Sequence, residues 1–183
     1  MAYTGMATTF RTLGQNIATG QFLFTIENLA TSAVTVYVRR LVVQMDATAV
    51  LTAVMPQVKV FRFTPAAGGG TTLAKGTFDS AQASSTLVQL RGATASDGGA
   101  AVTLTTITPG TMLWQQYCMR LHTAVGQVLA PDNNLLPALV DQVGVFDFKL
   151  LANEALGVQI VTAASVSNPA TNFWFVNCVW TEG

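Results

Sequence analysis

The chain has 183 residues, enough for one domain that buries a core of its own. Half of its residues are hydrophobic, but only 10% are charged, against about 25% in ordinary soluble domains. Nine basic and nine acidic residues give a net charge of zero, which argues against a nucleic-acid-binding surface. A surface so poor in charge must be neutral and polar or buried against partners, so we expect an oligomer or an assembly component.

The ends and the hydropathy of the chain bear on its location. Residues 1–12 contain one basic residue, Arg11, and no apolar run, so we expect no secretory signal. No uninterrupted apolar stretch reaches the about 18 residues that a membrane-spanning helix needs. We therefore expect synthesis in a cytoplasm and no contact with a membrane.

Short runs of alternating apolar residues, separated by Gly, Pro, Asn and Ser, predict an all-β chain. The predicted strands lie around residues 22–28, 34–43, 58–63, 73–78, 88–90, 102–104, 112–121, 146–150, 158–160 and 173–180. The alternation shifts by one between Val60 and Phe61, which predicts a β-bulge or a strand buried on both faces. It also blurs at residues 41–43. Turns are expected at 65–70, 92–100, 108–110, 131–134 and 165–172. Short helices fit best at 46–55 and 135–141. This strand spacing favours an antiparallel sandwich or barrel.

Residues that could carry chemistry are few. His122 is the single histidine, and no nucleophile motif lies beside it, so a structural or surface role is expected. Cys118 and Cys178 are 60 residues apart and are expected to be buried thiols, although the sequence leaves a disulfide open. Asp132 and the two asparagines after it fit a turn better than a calcium loop. We therefore predict no enzyme, no cofactor and no metal site.

The last predicted strand carries the strongest signal in the sequence. Trp174, Val176, Cys178 and Trp180 alternate onto one face, while the other face carries apolar residues interrupted by Asn177. A strand with one solvated face alternates apolar and polar residues instead. Two interpretations stay open: a central strand covered on its back by a loop, or a face that meets another subunit.

The segments QFLFTIEN, VYVRRLVVQMD, LANEALGVQIV and NFWFVNCVWTE together resemble small β-sandwich virion proteins of tailed bacteriophages, especially jelly-roll capsid decoration (cement) proteins. The resemblance runs from about Gln21 to the end of the chain. It implies a jelly-roll-like antiparallel β-sandwich at residues 21–183, preceded by an N-terminal arm at residues 1–20. It also implies a virion structural protein that binds the major capsid protein and itself, as a homo-oligomer expected to be a trimer.

We predict that the partner interface uses aromatic residues, which are favoured at interfaces. We expect Phe10, in the arm, and Trp174 and Trp180, in the last strand, to contact neighbouring subunits. Two other functions remain open. One is a tail, fibre or baseplate protein that binds a host receptor or glycan. The other is a cellular carbohydrate-binding module, in which Trp114 or Tyr117 would stack on sugar rings. A hydrolase on a β-sandwich is a further alternative, with His122 as its base.

Overall fold

The structure is a computed structural model that describes residues 4–12, 22–47, 51–54, 57–64, 71–92, 112–117, 120–122, 133–134, 148–161 and 172–183. Every regular element within these ranges is a strand. In chain order the strands are β1 (Thr4–Thr12), β2 (Phe22–Asn28), β3 (Val36–Ala47), β4 (Leu51–Val54), β5 (Gln57–Phe63), β6 (Thr71–Thr72), β7 (Gly76–Thr77), β8 (Val88–Gly92), β9 (Met112–Tyr117), β10 (Arg120–His122), β11 (Asn133–Asn134), β12 (Phe148–Leu150), β13 (Glu154–Val161) and β14 (Asn172–Glu182).

The strands form two six-stranded antiparallel sheets and one separate pair. The first sheet has the order β11-β3-β14-β1-β7, and β12 also pairs with β3. The second sheet has the order β6-β8-β2-β13-β5-β9, while β4 pairs with β10. The all-β, antiparallel prediction is therefore confirmed for the described residues. Of the predicted strands, only the run at 102–104 lies outside them.

A β-bulge in β3 explains the blurred alternation at residues 41–43. Arg40 is the partner of Val179 in β14 and Val38 is the partner of Trp180, so Arg39 is an extra residue. The extra residue reverses the alternation: Val38 and Leu41 are both buried, and the two arginines between them are exposed. Two consecutive basic residues therefore reach the surface without disturbing the core.

The irregular alternation at Val60 and Phe61 has a different origin. The pairing of β5 with β9 slips between these two residues, whereas its pairing with β13 stays regular. Val60 and Phe61 are both buried although they are adjacent. The extra residue at this slip is Leu113 of β9, between the partners Trp114 and Met112, so β5 itself has no bulge. Of the two predicted explanations, burial of β5 on both faces is confirmed.

Two local predictions are wrong. The expected strand at 73–78 is divided, because β6 pairs with β8 in the second sheet while β7 pairs with β1 in the first. The intervening residues 73–75 carry the chain from one sheet to the other. The short helix expected at 46–55 is not formed: Asp46 and Ala47 end β3, and β4 pairs with β10. Both outcomes depend on which strands pair with each other, and the local sequence does not show this pairing. The other expected helix, at 135–141, lies outside the described residues.

Residues 4–12 of the predicted N-terminal arm form strand β1. All nine residues of β1 pair with β14, from Thr4 opposite Thr181 to Thr12 opposite Phe173. Residues 4–12 are thus part of the first sheet within this chain. The boundary of an arm at residue 20 stays a prediction, because residues 13–21 lie outside the described ranges.

Strand β14 is the centre of the first sheet, between β3 and β1. Val176, Cys178, Trp180 and Glu182 are buried, and the three residues between them are half-buried. Of the two interpretations of this strand, the central position is confirmed. Whether its half-buried face meets another subunit stays a prediction.

Candidate interaction surface

The residues considered for chemistry are not brought together. The backbone of His122 ends β10, but its side chain lies outside the described part of the structure. Asn133 and Asn134 form β11 and pair with β3, so this part of the expected turn is a strand. Asp132 lies outside the described residues. Within those residues no group of three His, Cys, Asp or Glu side chains could hold a metal ion.

The two cysteines can be placed only in part. Cys178 is buried and carries a free thiol. Burial raises the pKa of the Cys178 thiol well above its ordinary value, so it stays protonated and unreactive. This confirms the prediction of a small buried hydrophobe for Cys178. Cys118 lies outside the described residues.

The three aromatic residues predicted as a partner interface have different positions. The backbone of Phe10 pairs with Phe175, and that of Trp174 pairs with Arg11 and Met45. The side chains of Phe10 and Trp174 lie outside the described part, so their role stays a prediction. Trp180 has 0% of its surface exposed within the single chain. An enclosed side chain offers nothing to a partner, so Trp180 leaves the predicted interface.

Trp180 belongs to a buried polar cluster that fastens the last strand. Its Nε1–H donates to Glu182 Oε1 at 3.1 Å, and the Ser85 hydroxyl donates to Glu182 Oε2 at 2.8 Å. Lys75 Nζ donates to the carbonyls of Ser85 and Val88 at 2.5 and 2.7 Å. Burial lowers the pKa of Lys75, and Glu182 opposes this shift. These hydrogen bonds connect residues 75–88 to β14. The polar groups of the cluster bind each other or nearby backbone carbonyls.

A second buried charge pair lies on the second sheet. Glu27 in β2 is 3% exposed, and its Oε1 is 3.3 Å from Arg91 Nε in the neighbouring strand β8. The Thr25 hydroxyl donates to the same carboxylate at 3.2 Å. Burial raises the pKa of Glu27, whereas the Arg91 charge and the hydrogen bonds from Thr25 and Arg91 lower it.

Asn28, which is fully buried at the end of β2, holds two loops in place, and its neighbour Leu29 bonds to a third. Its Nδ2 donates to Val34 O at 2.9 Å in the loop after β2, and to Leu150 O at 3.0 Å before the turn at 151–153. The Asn28 carbonyl accepts a hydrogen bond from Asn153 N, and Leu29 N donates to Leu87 O in the third loop. One side chain therefore organises residues from both sheets at this end of the molecule.

We call the surface of these three loops, residues 29–35, 78–87 and 151–153, the loop end. It contains Phe78 and Leu151, which are 63% and 58% exposed and are the exposed large hydrophobic residues of the described chain. Its other exposed residues are mostly Ala, Ser and Thr, and Asp79 is its one charged residue. The Asp79 carboxylate accepts a hydrogen bond from Ala81 N at 2.9 Å within its own loop.

The sequence reasoning missed the loop end. Phe78 was placed in a strand, where an aromatic residue is expected to be buried. The signal that could have found it is the Asp79-Ser80 pair after Phe78, which is typical of a turn and would leave Phe78 at its start. For Leu151, the signal is Asn153 two residues later, because asparagine is a common turn residue. In the structure, Asn153 has a φ of 63°.

Comparison with known proteins gives no match: no family model, no curated protein and no solved structure is significantly similar to the chain. No helix in the described residues is long and apolar enough to cross a membrane.

Proposed function

We propose that the chain is a structural protein of a tailed-bacteriophage virion that decorates and cements the capsid. It has no catalytic activity in this proposal. It acts by binding the major capsid protein and other copies of itself, and it reaches the capsid after synthesis in the host cytoplasm. The proposed fold is a jelly-roll-like sandwich in which the two sheets pack face to face.

The connections between the strands support the sandwich. The chain passes between the two sheets repeatedly, for example from β2 to β3, from β6 to β7, from β12 to β13 and from β13 to β14. Both sheets bury alternating apolar residues, for example Phe24 and Ile26 in one and Val176 and Cys178 in the other. Two sheets joined this way, each with a buried apolar face, fit a common core between them.

The observation that carries the function is that a charge-poor chain uses part of its charges in contacts within the chain. Glu27 contacts Arg91, Lys75 binds backbone carbonyls beside Glu182, and Arg62 donates to Lys149 O at 2.9 Å. Arg39, Arg40, Asp79 and Lys149 are the exposed charged residues of the described part, in a chain of which only 10% is charged. A neutral surface on a neutral protein favours association over solubility as a monomer.

Burial of apolar surface would supply the stabilisation of the capsid. A decoration protein that bridges neighbouring capsomers removes area from water at each joint, at roughly 25 cal/mol per Å² of apolar surface before association costs. The neutral surface suits this contact, because no charge has to be desolvated. Many symmetric copies multiply a small gain per joint.

We expect the purified protein to add to capsids that lack it and to raise their melting temperature. Binding is measured by co-sedimentation at micromolar protein, and melting by scanning calorimetry of decorated and bare capsids. An unrelated neutral protein of similar size is the control and should do neither. Absence of binding at micromolar protein would reject the decoration function.

A further inference from the structure

The exposed cations of the described residues lie together on the outer face of the first sheet. Lys149 in β12, Tyr37 in β3 and Thr181 in β14 are directly opposite one another across three neighbouring strands, so their side chains share one face. Lys149 is exposed there, and the other two are half-buried. The bulge in β3 adds Arg39 and Arg40, both exposed, to this face. We call these five residues the cationic face.

Measured contacts join the side chains of the cationic face into one patch. The Arg39 guanidinium lies 4.9 Å from the centre of the Tyr37 ring, and the Lys149 ammonium lies 5.5 Å from the same centre. Arg39 Nε also donates to the Thr181 hydroxyl at 2.9 Å. The π-electrons of one ring thus attract two cations that otherwise repel each other. Because these side chains are ordered in the free chain, a partner loses less entropy on binding them.

The positive charge of this face is available to an outside acceptor. A cation–π contact uses the charge of an ammonium but none of its three N–H donors, so Lys149 can still donate to a partner. The side-chain carboxylates that the structure describes are engaged at other places, namely Glu27 with Arg91, Asp79 with Ala81 N, Glu154 with Leu151 N, and Glu182 with Trp180 and Ser85. An acidic group from another molecule therefore suits Lys149.

The small number of cations favours an acidic protein over other anionic partners. A protein that binds a nucleic-acid backbone makes about six to ten phosphate contacts and has a basic surplus, whereas this chain has equal numbers of acidic and basic residues. An anionic membrane is recognised by about four to eight clustered basic residues. Three exposed cations match a few carboxylates on a folded protein, and the planar guanidinium group of arginine fits the geometry of a carboxylate.

We propose that the cationic face binds an acidic surface of another virion protein, whose carboxylates contact Lys149 and Arg39. The inference rests on the proposed function for the identity of that protein, the major capsid protein, but not for its acidic chemistry. Exposed charges mainly raise the association rate and fix the orientation of two proteins, while apolar burial supplies most of the affinity. The cationic face thus determines which side of the chain meets the capsid.

The site is tested first on the isolated full chain. The probe is a fluorescent peptide of alternating Glu and Ser residues, and its binding is measured by fluorescence anisotropy at low salt. We expect Lys149→Gln to weaken binding about threefold and Arg39→Gln/Lys149→Gln about tenfold, because each exposed charge pair contributes modestly. Lys59→Gln removes the same charge from β5 in the second sheet and should bind like the wild type. The same peptide with Gln in place of Glu should not bind.

Several results would overturn the proposal. These are equal binding by the wild type and the double variant, an equal loss in Lys59→Gln, or equal binding of the Gln peptide. Tighter binding to duplex DNA or to phosphatidylserine vesicles than to the acidic peptide would also overturn it. Unchanged thermal melting shows that each variant is folded. If the double variant does not fold, Lys149→Gln alone decides.

Binding to bare capsids separates this inference from the decoration function. We expect added salt to slow association of the wild type with capsids, and Arg39→Gln/Lys149→Gln to lose most of this salt dependence. Capsid binding that is identical in the two proteins rejects the cationic face alone. Binding to the acidic peptide without any binding to capsids rejects the decoration function alone.

Discussion

Replacement of Trp180 by alanine is expected to lower the free energy of unfolding by about 4 kcal/mol, because removal of a fully buried indole leaves a large cavity. The change also removes the Nε1–H donor of Glu182, a carboxylate that is itself buried. Domains of this size are stable by about 5–15 kcal/mol, so the variant should be close to unfolding at room temperature. Urea unfolding followed by far-UV circular dichroism measures the loss.

Two further variants separate the parts of this effect. Trp180→Phe keeps most of the apolar volume but not the donor, and should cost about 1–2 kcal/mol. Phe78→Ala removes an exposed aromatic residue and should change stability by less than about 0.5 kcal/mol. If Trp180→Ala cost no more than Phe78→Ala, then the Trp180 side chain would not be enclosed in the folded chain.

Replacement of Arg91 by leucine should lower the free energy of unfolding by about 3–5 kcal/mol at pH 7, because it leaves the buried Glu27 carboxylate without its cation. The double variant Glu27→Gln/Arg91→Leu should recover much of this loss, since it removes the charge as well. Glu27→Gln can still accept the hydrogen bond from Thr25. The three variants and the wild type form a double-mutant cycle, measured by urea unfolding.

The effect of Arg91→Leu should depend on pH. Burial raises the pKa of Glu27 in the folded protein above the ordinary value of 4.5, so the folded state binds the proton more tightly than the unfolded state. The stabilising contribution of this proton is complete below pH 4.5 and is lost as the pH rises through the folded pKa. Loss of Arg91 raises that pKa further, because the arginine lowers it in the wild type.

The deficit of Arg91→Leu relative to the wild type should therefore be small near pH 4 and grow toward pH 7. Unfolding of both proteins at the two pH values gives the difference, in which the other acidic groups largely cancel. A deficit that is equal at pH 4 and pH 7 would mean that packing of the arginine, and not the charge of Glu27, determines it.

The sequence predicted most of the strands because alternation depends on local residues. Phe24 and Ile26 are buried in β2, and the irregular alternation at Val60 and Phe61 marks a strand that is buried on both faces. In the sequence, the bulge at Arg39 is visible only as an irregular alternation of apolar residues. Its position depends on where β14 pairs with β3, and this is a contact between segments more than 130 residues apart.

The candidate surface was less predictable than the fold. Trp180, a predicted interface residue, is enclosed, whereas Phe78, at the end of a predicted strand, is exposed. Their exposure depends on strand pairing, since Phe78 follows β7 at the edge of the first sheet and β14 lies between β1 and β3. The contacts of Glu27 and Glu182 are likewise between separate segments. The composition gives the number of charged residues, but it does not show which of them contact other groups inside the protein.

A reconstruction of the intact particle tests the central claim most directly. The account predicts density for this chain on the outer surface of the capsid, across the joints between neighbouring capsomers, in many symmetric copies. Particles assembled without the protein should lack that density and be otherwise complete. Density for the chain at the tail or baseplate, or a capsid surface with none, would contradict a decoration function.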